Sequence, residues 1–165
     1  PAICLVGLGM VTGGLKRLEA AGAGGAARAF SIVSFSAVAL FAALFAAAIV
    51  NVKKPEAHKR LMLVATVSML QAAVGRWFLL FLAPRTGGPP GPPGVPRVLV
   101  SVGPGSVIDL LIVAAMVHDR KTRGRVHPAY WYAGALVLAV QVLRVPISTT
   151  SAWTSVTHWL VALSP

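Results

Sequence analysis

Acidic side chains are the scarcest functional groups in this sequence. Only four Asp and Glu residues occur among 165, against fifteen Lys and Arg. With so few acids, the sequence offers no paired-carboxylate site for general acid–base catalysis. The HExxH, CxxC, GxSxG and phosphate-loop patterns are also missing from it. These absences disfavour conventional hydrolase and kinase chemistry.

Cysteine and charged residues in general are rare as well. The single cysteine, Cys4, excludes a disulfide within this sequence. Charged residues make up 12% of the chain, where soluble proteins have about 25%. Hydrophobic residues make up 56%, and the mean hydropathy is +0.78. This balance predicts a polytopic membrane protein in which residues 1–165 form a single membrane domain.

Long apolar runs define the predicted membrane spans. A helix needs about 20 apolar residues to cross a hydrocarbon core about 30 Å thick. A shorter run, residues 1–15, starts abruptly at Pro1, so we expect the sequence to be N-terminally truncated and this run to be a clipped span. The predicted fold is an all-α transmembrane bundle of five to six spans. The four complete spans are placed at 29–52, 61–83, 98–118 and 129–147.

The last apolar segment, residues 152–163, is too short for a confident crossing. Its length is compatible with a short span, a clipped span or a helix that lies in the membrane interface. All connections between the spans are short, so neighbouring helices are expected to be antiparallel.

Basic residues are distributed unevenly between alternate loops. Loops 53–60 and 119–127 carry four Lys and Arg each, whereas loops 16–28 and 84–97 carry three and two. Because cytoplasmic loops retain more Lys and Arg, the first pair is predicted to be cytoplasmic. Aromatic residues cluster at both proposed boundaries, as expected of membrane belts. They are Tyr130, Trp131 and Tyr132 at the inner boundary, and Trp77, Phe78 and Phe81 near the outer one.

The net charge of +11 comes from basic residues scattered over these short membrane-flanking loops. Such a distribution favours a bilayer with anionic headgroups as the partner and disfavours nucleic acid. A membrane-protein partner or a homo-oligomer is also compatible with the sequence.

Several polar residues inside the apolar spans fall at similar depths. Each such group is costly unless it is paired, reaches an interface or faces water. At about 1.5 Å per helical residue, the middle of this set lies roughly 14 to 19 Å from the cytoplasmic boundary and its two arginines about 24 Å from it. The predicted buried polar layer consists of Asp109, Arg76, Arg144, Gln71, Gln141 and Ser106.

Three interpretations of this layer are open. In the first, Asp109 forms a buried ion pair with Arg76 or Arg144 and fixes the helix register. In the second, the layer is a ligand or proton site open to the outer face, where an anionic or carbonyl-bearing molecule meets two arginines. In the third, both arginines extend to the outer headgroups. The second predicts a small-molecule binding function, which competes with a non-catalytic assembly or scaffold role.

Histidine is the residue through which a helical membrane bundle commonly binds haem or a transition metal. The candidate ligands are His58, His118, His127 and His158. Because His58 and His118 begin and end adjacent antiparallel spans, their geometry permits a haem b between two imidazoles. Haem-dependent electron transfer is therefore an alternative function. An interfacial histidine beside Lys59, Arg60 and Arg120 is, however, more often a solvated flanking residue.

The chain resembles a group of uncharacterised bacterial multi-span inner-membrane proteins over most of residues 50–150. The likeness is carried by PEAHKRLMLVAT with Arg76 further along, by DLLIVAAMVHDRKTRGRVHPAY and by QVLRVPIS. It implies a helical bundle in the bacterial cytoplasmic membrane and transfers no catalytic residue. The histidine-flanked spans are also similar to cytochrome b561-like electron carriers, which implies haem. This chain departs from that pattern because no two histidines sit well inside facing helices.

The predicted orientation can be tested in intact cells by introducing Lys54→Cys, Arg123→Cys or Gly91→Cys, one at a time, into a Cys4→Ser background. An impermeant thiol reagent should label only the cysteine at position 91, because the other two positions are expected to face the cytoplasm. Labelling of positions 54 and 123 without position 91 would show that the orientation is inverted.

Overall fold

The computed structural model describes residues 2–20, 22, 24–82 and 101–163, and this part of the chain is helical apart from short connections. Four of its helices are long and apolar enough to cross a membrane. The predicted all-α membrane bundle is therefore confirmed. In chain order the helices are α1 (Ala2–Ala20), α2 (Gly24–Val50), α3 (Pro55–Leu82), α4 (Val102–Arg123), α5 (Pro128–Ile147) and α6 (Ser151–Leu163).

The four span-length helices are α2 to α5, and they correspond to the four complete spans predicted from the sequence. The two others are shorter. Helix α1 has 19 residues and carries three charged residues near its end, and α6 has 13 residues. At 13 residues, α6 is shorter than the length of about 20 residues that a crossing needs.

The helices continue well beyond the apolar runs at the end of the bundle predicted to be cytoplasmic. Helix α3 already begins at Pro55, whose missing N–H is harmless in the first turn. Helix α4 continues through Arg123 and stops at Gly124, which has a φ of 75°. The predicted loops 53–60 and 119–127 were thus too long, because the true connections are residues 51–54 and 124–127.

The same correction applies to the connection between α1 and α2. Residues 16–28 were predicted to form a loop, but α1 continues to Ala20 and α2 begins at Gly24. An ion pair of 2.7 Å joins Glu19 to Arg28 across this tight connection. The predicted turn at 84–97 lies outside the described residues.

A closely packed apolar core joins α2, α3, α4 and α5. Several of its members have almost no exposed surface, and small alanines allow α2 and α3 to approach each other. The most buried members are Leu44 and Ala48 of α2, Val64 and Ala65 of α3, Ile108 and Ile112 of α4, and Ala133 and Val137 of α5.

Helices α1 and α6 pack against each other and against α2. Trp153 of α6 fixes this layer, because its Nε1 donates a hydrogen bond of 2.9 Å to the carbonyl oxygen of Arg28. Its ring also meets Phe35 edge-on, with the ring centroids 5.8 Å apart.

The outer surface of the bundle is rich in large apolar side chains, as expected of a surface that contacts lipid. Trp131, Tyr132 and Trp77 are all highly exposed, in agreement with the predicted aromatic belts. Tyr130 was wrongly assigned to the inner belt, because it is buried beneath the guanidinium of Arg60. The side chain of Phe81 lies outside the described part of the structure.

Candidate functional site

A layer of polar side chains joins α3, α4 and α5 at the half of the bundle opposite the 51–54 and 124–127 connections. We call Gln71, Ser101, Asp109, Gln141 and Arg144 the outer polar layer. Four of these residues were predicted from the sequence, and Ser101, the residue before α4, was not. The layer brings together residues that are up to 73 positions apart in the chain, 71 and 144.

Arg144 is the central residue of the outer polar layer. Only 3% of its surface is exposed, although it carries a full charge. With the amide oxygen of Gln71 turned towards α5, that oxygen accepts hydrogen bonds of 2.9 Å from both Nη1 and Nη2. Nη2 also donates to the carbonyl oxygen of Ser101 at 3.3 Å. Among the described residues, the buried Nε has no acceptor.

Asp109 is held by an amide. Its Oδ1 accepts a hydrogen bond of 3.0 Å from Nε2 of Gln141, one helical turn before Arg144 on α5. The ion pairs of the described residues involve Glu19, Glu56 and Asp119, and none involves Asp109. The ion pair of Asp109 with an arginine, which the first interpretation predicted, is therefore not formed within 4 Å among the described residues, and Gln141 donates to one carboxylate oxygen instead.

Glycines at the start of α4 allow this close packing. A Cβ atom on Gly105 would lie 2.7 Å from Oε1 of Gln141, and one on Gly103 would lie 2.8 Å from the ring of Phe78. Pro104 between them is buried in the first turn of α4. The two glycines thus let α3 and α5 approach the first turn of α4.

Two residues predicted for the layer point away from it. Ser106 is exposed, and its hydroxyl donates to the carbonyl oxygen of Val102 in its own helix at 3.0 Å. Arg76 is also exposed on α3. Extension of the side chain towards the headgroups thus suits Arg76, but it does not describe the buried Arg144.

A second polar cluster lies at the opposite end of the same three helices and was not predicted as a site. We call Glu56, Arg60, Asp119 and Arg123 the inner cluster. Arg60 forms an ion pair with Asp119, and the side chains of both are only 7% exposed. Arg60 also donates to Oε2 of Glu56 at 2.7 Å, and Arg123 contacts both acids.

The inner cluster was missed because its members were assigned to loops. In the structure they lie on continuous helices, so Asp119 of α4 turns inward towards Arg60 of α3. The sequence did contain a signal, since Glu56 and Arg60, and also Asp119 and Arg123, have the i, i+4 spacing of helical ion pairs.

Two of the candidate histidines make contacts that stabilise helix ends. Nδ1 of His58 lies 2.8 Å from the carbonyl oxygen of Ala48, at the end of α2. His127 caps α5, because its Nδ1 accepts a hydrogen bond of 3.1 Å from the backbone N–H of Ala129. The backbone N–H of His127 also donates to Oδ2 of Asp119 at 2.9 Å.

The other two histidines, His118 on α4 and His158 on α6, are exposed. Across residues 2–20, 22, 24–82 and 101–163, no group of three or more His, Cys, Asp or Glu side chains is arranged to hold a metal ion. The hypothesis that two of the histidines bind haem b stays a prediction.

Comparison with known proteins found no relative of this chain. No family model, no curated protein and no solved structure matches the chain. Function must therefore be argued from the two polar clusters themselves.

The inner cluster leads to a prediction about stability. Asp119→Asn should lower the free energy of unfolding by about 2 to 3 kcal/mol, because it removes the nearly buried charge that pairs with Arg60 and replaces one of the two accepting oxygens by an NH2 donor. Glu56→Gln is the matched control and should cost less, because Glu56 is 42% exposed. Thermal unfolding in an uncharged detergent measures both. Equal losses would show that the buried pair has no special role.

The outer polar layer leads to a prediction about coupling. Asp109→Leu and Gln141→Leu should be less destabilising in combination than the sum of their separate effects, with a coupling of about 0.5 to 2 kcal/mol. The reason is that each single change leaves the other polar group buried without its partner. The cycle of Asp109→Leu with Arg76→Leu is the control and should show additivity. Coupling of Asp109 to Arg76 alone would contradict the observed geometry.

Proposed function

We propose that this chain is an integral protein of the bacterial cytoplasmic membrane that binds a small molecule at Arg144, through an anionic or carbonyl oxygen of that molecule. In this proposal the 51–54 and 124–127 connections face the cytoplasm, and the outer polar layer lies in the outer half of the bilayer. The observation that carries it is the buried guanidinium of Arg144, with an Nε that has no acceptor among the described residues.

The charge of Arg144 is the main support for an anionic ligand. A buried charge is costly unless an opposite charge or several hydrogen bonds compensate it. Gln71 and the carbonyl of Ser101 accept hydrogen bonds from the guanidinium, but both are neutral. No ion pair of the described residues includes Arg144. Asp109 of the same layer forms no ion pair with Arg144, so an anionic oxygen in contact with the guanidinium would supply one.

A groove beside Arg144 supplies a path for such a molecule. It lies between the start of α4 and the end of α5 and has a volume of about 410 Å³, within the range of small-molecule sites. Its lining residues are Val102, Gln141, Val142, Arg144, Val145 and Pro146. The two polar ones, Gln141 and Arg144, belong to the outer polar layer, so the groove reaches that layer.

The contrast with Arg60 favours binding over a purely structural role. Arg60 is almost as buried as Arg144, but two carboxylates, Glu56 and Asp119, neutralise it. In a layer that served only to fix helix register, the same compensation would be expected for Arg144. A scaffold role remains the competing hypothesis, and it requires no ligand.

Ligand-dependent stabilisation tests this proposal. The purified chain in an uncharged detergent is melted with a series of n-alkyl carboxylates from acetate to palmitate, and with their methyl esters. A ligand present at about 100 times its dissociation constant should stabilise the fold by roughly 2.7 kcal/mol. Because the methyl esters lack the charge, we expect the carboxylates to act at lower concentrations.

Arg76→Gln is the matched control, since Arg76 is an exposed arginine on a neighbouring helix. The stabilisation should persist in Arg76→Gln and disappear in Arg144→Gln. If neither carboxylates nor esters raise the melting temperature of the unchanged protein, or if Arg144→Gln responds equally, the layer is structural and the binding function is wrong.

A further inference from the structure

The geometry points to a specific class of ligand for the Arg144 site: a single-chain amphiphile with a carboxylate head, which enters sideways from the outer half of the bilayer. This inference rests on the proposed binding function and adds the ligand class and the route of entry. Three features of the site support it: the apolar lining of the groove, the depth of Arg144 in the membrane and the buried residues at both ends of the site.

The groove has the chemistry of a site for an alkyl chain. Four of its six lining side chains are apolar, namely Val102, Val142, Val145 and Pro146. Val142 is 68% exposed and Val102 is 46% exposed, so this wall belongs to the surface that contacts lipid. The guanidinium and the amide of Gln141 provide the polar part of the lining. An alkyl chain that runs past Val142, on the membrane-centre side of Arg144, therefore places its head at the guanidinium.

Depth favours entry from the lipid. Arg144 is 16 residues after Pro128, the first residue of α5, which corresponds to about 24 Å along the helix. It is one turn before the end of α5 at Ile147. In a hydrocarbon core about 30 Å thick, this position lies below the outer headgroups. A molecule dissolved in the bilayer is already at this depth, whereas a water-soluble anion is not.

Buried residues lie at both ends of the site. Towards the outer end of the helices, Ser101 and Ser148 are both buried, and the backbone N–H of Ser148 donates to the carbonyl oxygen of Arg144 at 3.0 Å. Towards the inner end, Ile108 and Val137 of the core are 0% and 1% exposed. Among the described residues, the groove between α4 and α5 is the exposed approach to Arg144.

Charge selects the head group. The site presents the guanidinium of Arg144 and the amide of Gln141, and the carboxylate of Asp109 behind that amide forms no ion pair with Arg144. A carboxylate head complements the guanidinium in both charge and geometry. A single alkyl chain lets the carboxylate reach below the level of the headgroups. The bulky phosphate head and two chains of a phospholipid suit a groove of about 410 Å³ less well.

The experiment measures binding of radiolabelled palmitate to the full chain in nanodiscs of zwitterionic phosphatidylcholine. Unlabelled palmitate, methyl palmitate and acetate are the competitors. Val142→Trp fills the groove without altering Arg144. Leu143→Trp is the matched control, because Leu143 is the exposed neighbour on α5 and does not line the groove. Arg144→Gln removes the cation.

We expect saturable palmitate binding that palmitate displaces, with methyl palmitate weaker and acetate ineffective. Val142→Trp should weaken binding about tenfold or more, as expected when an anchor pocket is filled, and Leu143→Trp should leave it unchanged. Loss of binding in Arg144→Gln would support the same conclusion. Val142→Trp retains every residue of the outer polar layer, so its effect stands even if Arg144→Gln fails to fold.

Other outcomes overturn the inference in distinguishable ways. If acetate competes as well as palmitate, the site takes anions from water, and the proposed function survives without the lateral route. If binding is equal in Val142→Trp, Leu143→Trp and Arg144→Gln, the palmitate is ordinary boundary lipid and the inference is wrong. If no saturable binding occurs, the inference is wrong too, and the thermal series with short carboxylates decides the proposed function.

Discussion

The structure depends on how a chain with few acids compensates cations inside a membrane. A guanidinium in a low-dielectric environment needs an opposite charge or a set of oriented dipoles, because no water is present there to solvate it. Two buried arginines meet this constraint in different ways. Arg60 is compensated by two carboxylates, and Arg144 by an amide and a carbonyl. This difference separates a structural cluster from a candidate binding site.

Both solutions connect the same three helices. The inner cluster joins the start of α3 to the end of α4 and, through the contact of Asp119 with His127, to the start of α5. The outer polar layer joins the other halves of these helices through Gln71, Ser101 and Arg144. Between the two levels lies the apolar core. The packing of α3, α4 and α5 is thus specified at two heights by polar contacts and in the middle by shape.

The architecture was predictable from composition, because a span-length apolar run leaves few alternatives to a helix. The four span-length helices were recovered, with predicted ends that differ from the observed ones by up to six residues. The polar layer was partly predictable, since Gln71, Asp109, Gln141 and Arg144 stand out in apolar surroundings. Their partners were not, because Arg76 and Arg144 have similar depths, and only the direction of each side chain shows that Arg76 points outward.

The inner cluster shows why the rest was missed. The prediction assigned charged residues that follow an apolar run to loops. Glu, Lys and Arg nevertheless favour helix, and their i, i+4 pairs stabilise the last turns of a helix. Extending α4 by five residues, from 118 to 123, is enough to turn Asp119 from a loop charge into a buried partner. Hydropathy locates where a helix enters the lipid, and it does not locate where the helix ends.

The depth of Arg144 has an electrical consequence. In the proposed orientation, Arg144 lies about a fifth of the hydrocarbon thickness below the outer boundary, by the helical rise. A full crossing of one charge corresponds to about 2.3 kcal/mol per 100 mV, so an anion at Arg144 would exchange roughly a fifth of that with the membrane voltage. An inside-negative potential opposes the inward movement of an anion. Occupancy of Arg144 by a charged ligand would therefore rise when the membrane depolarises.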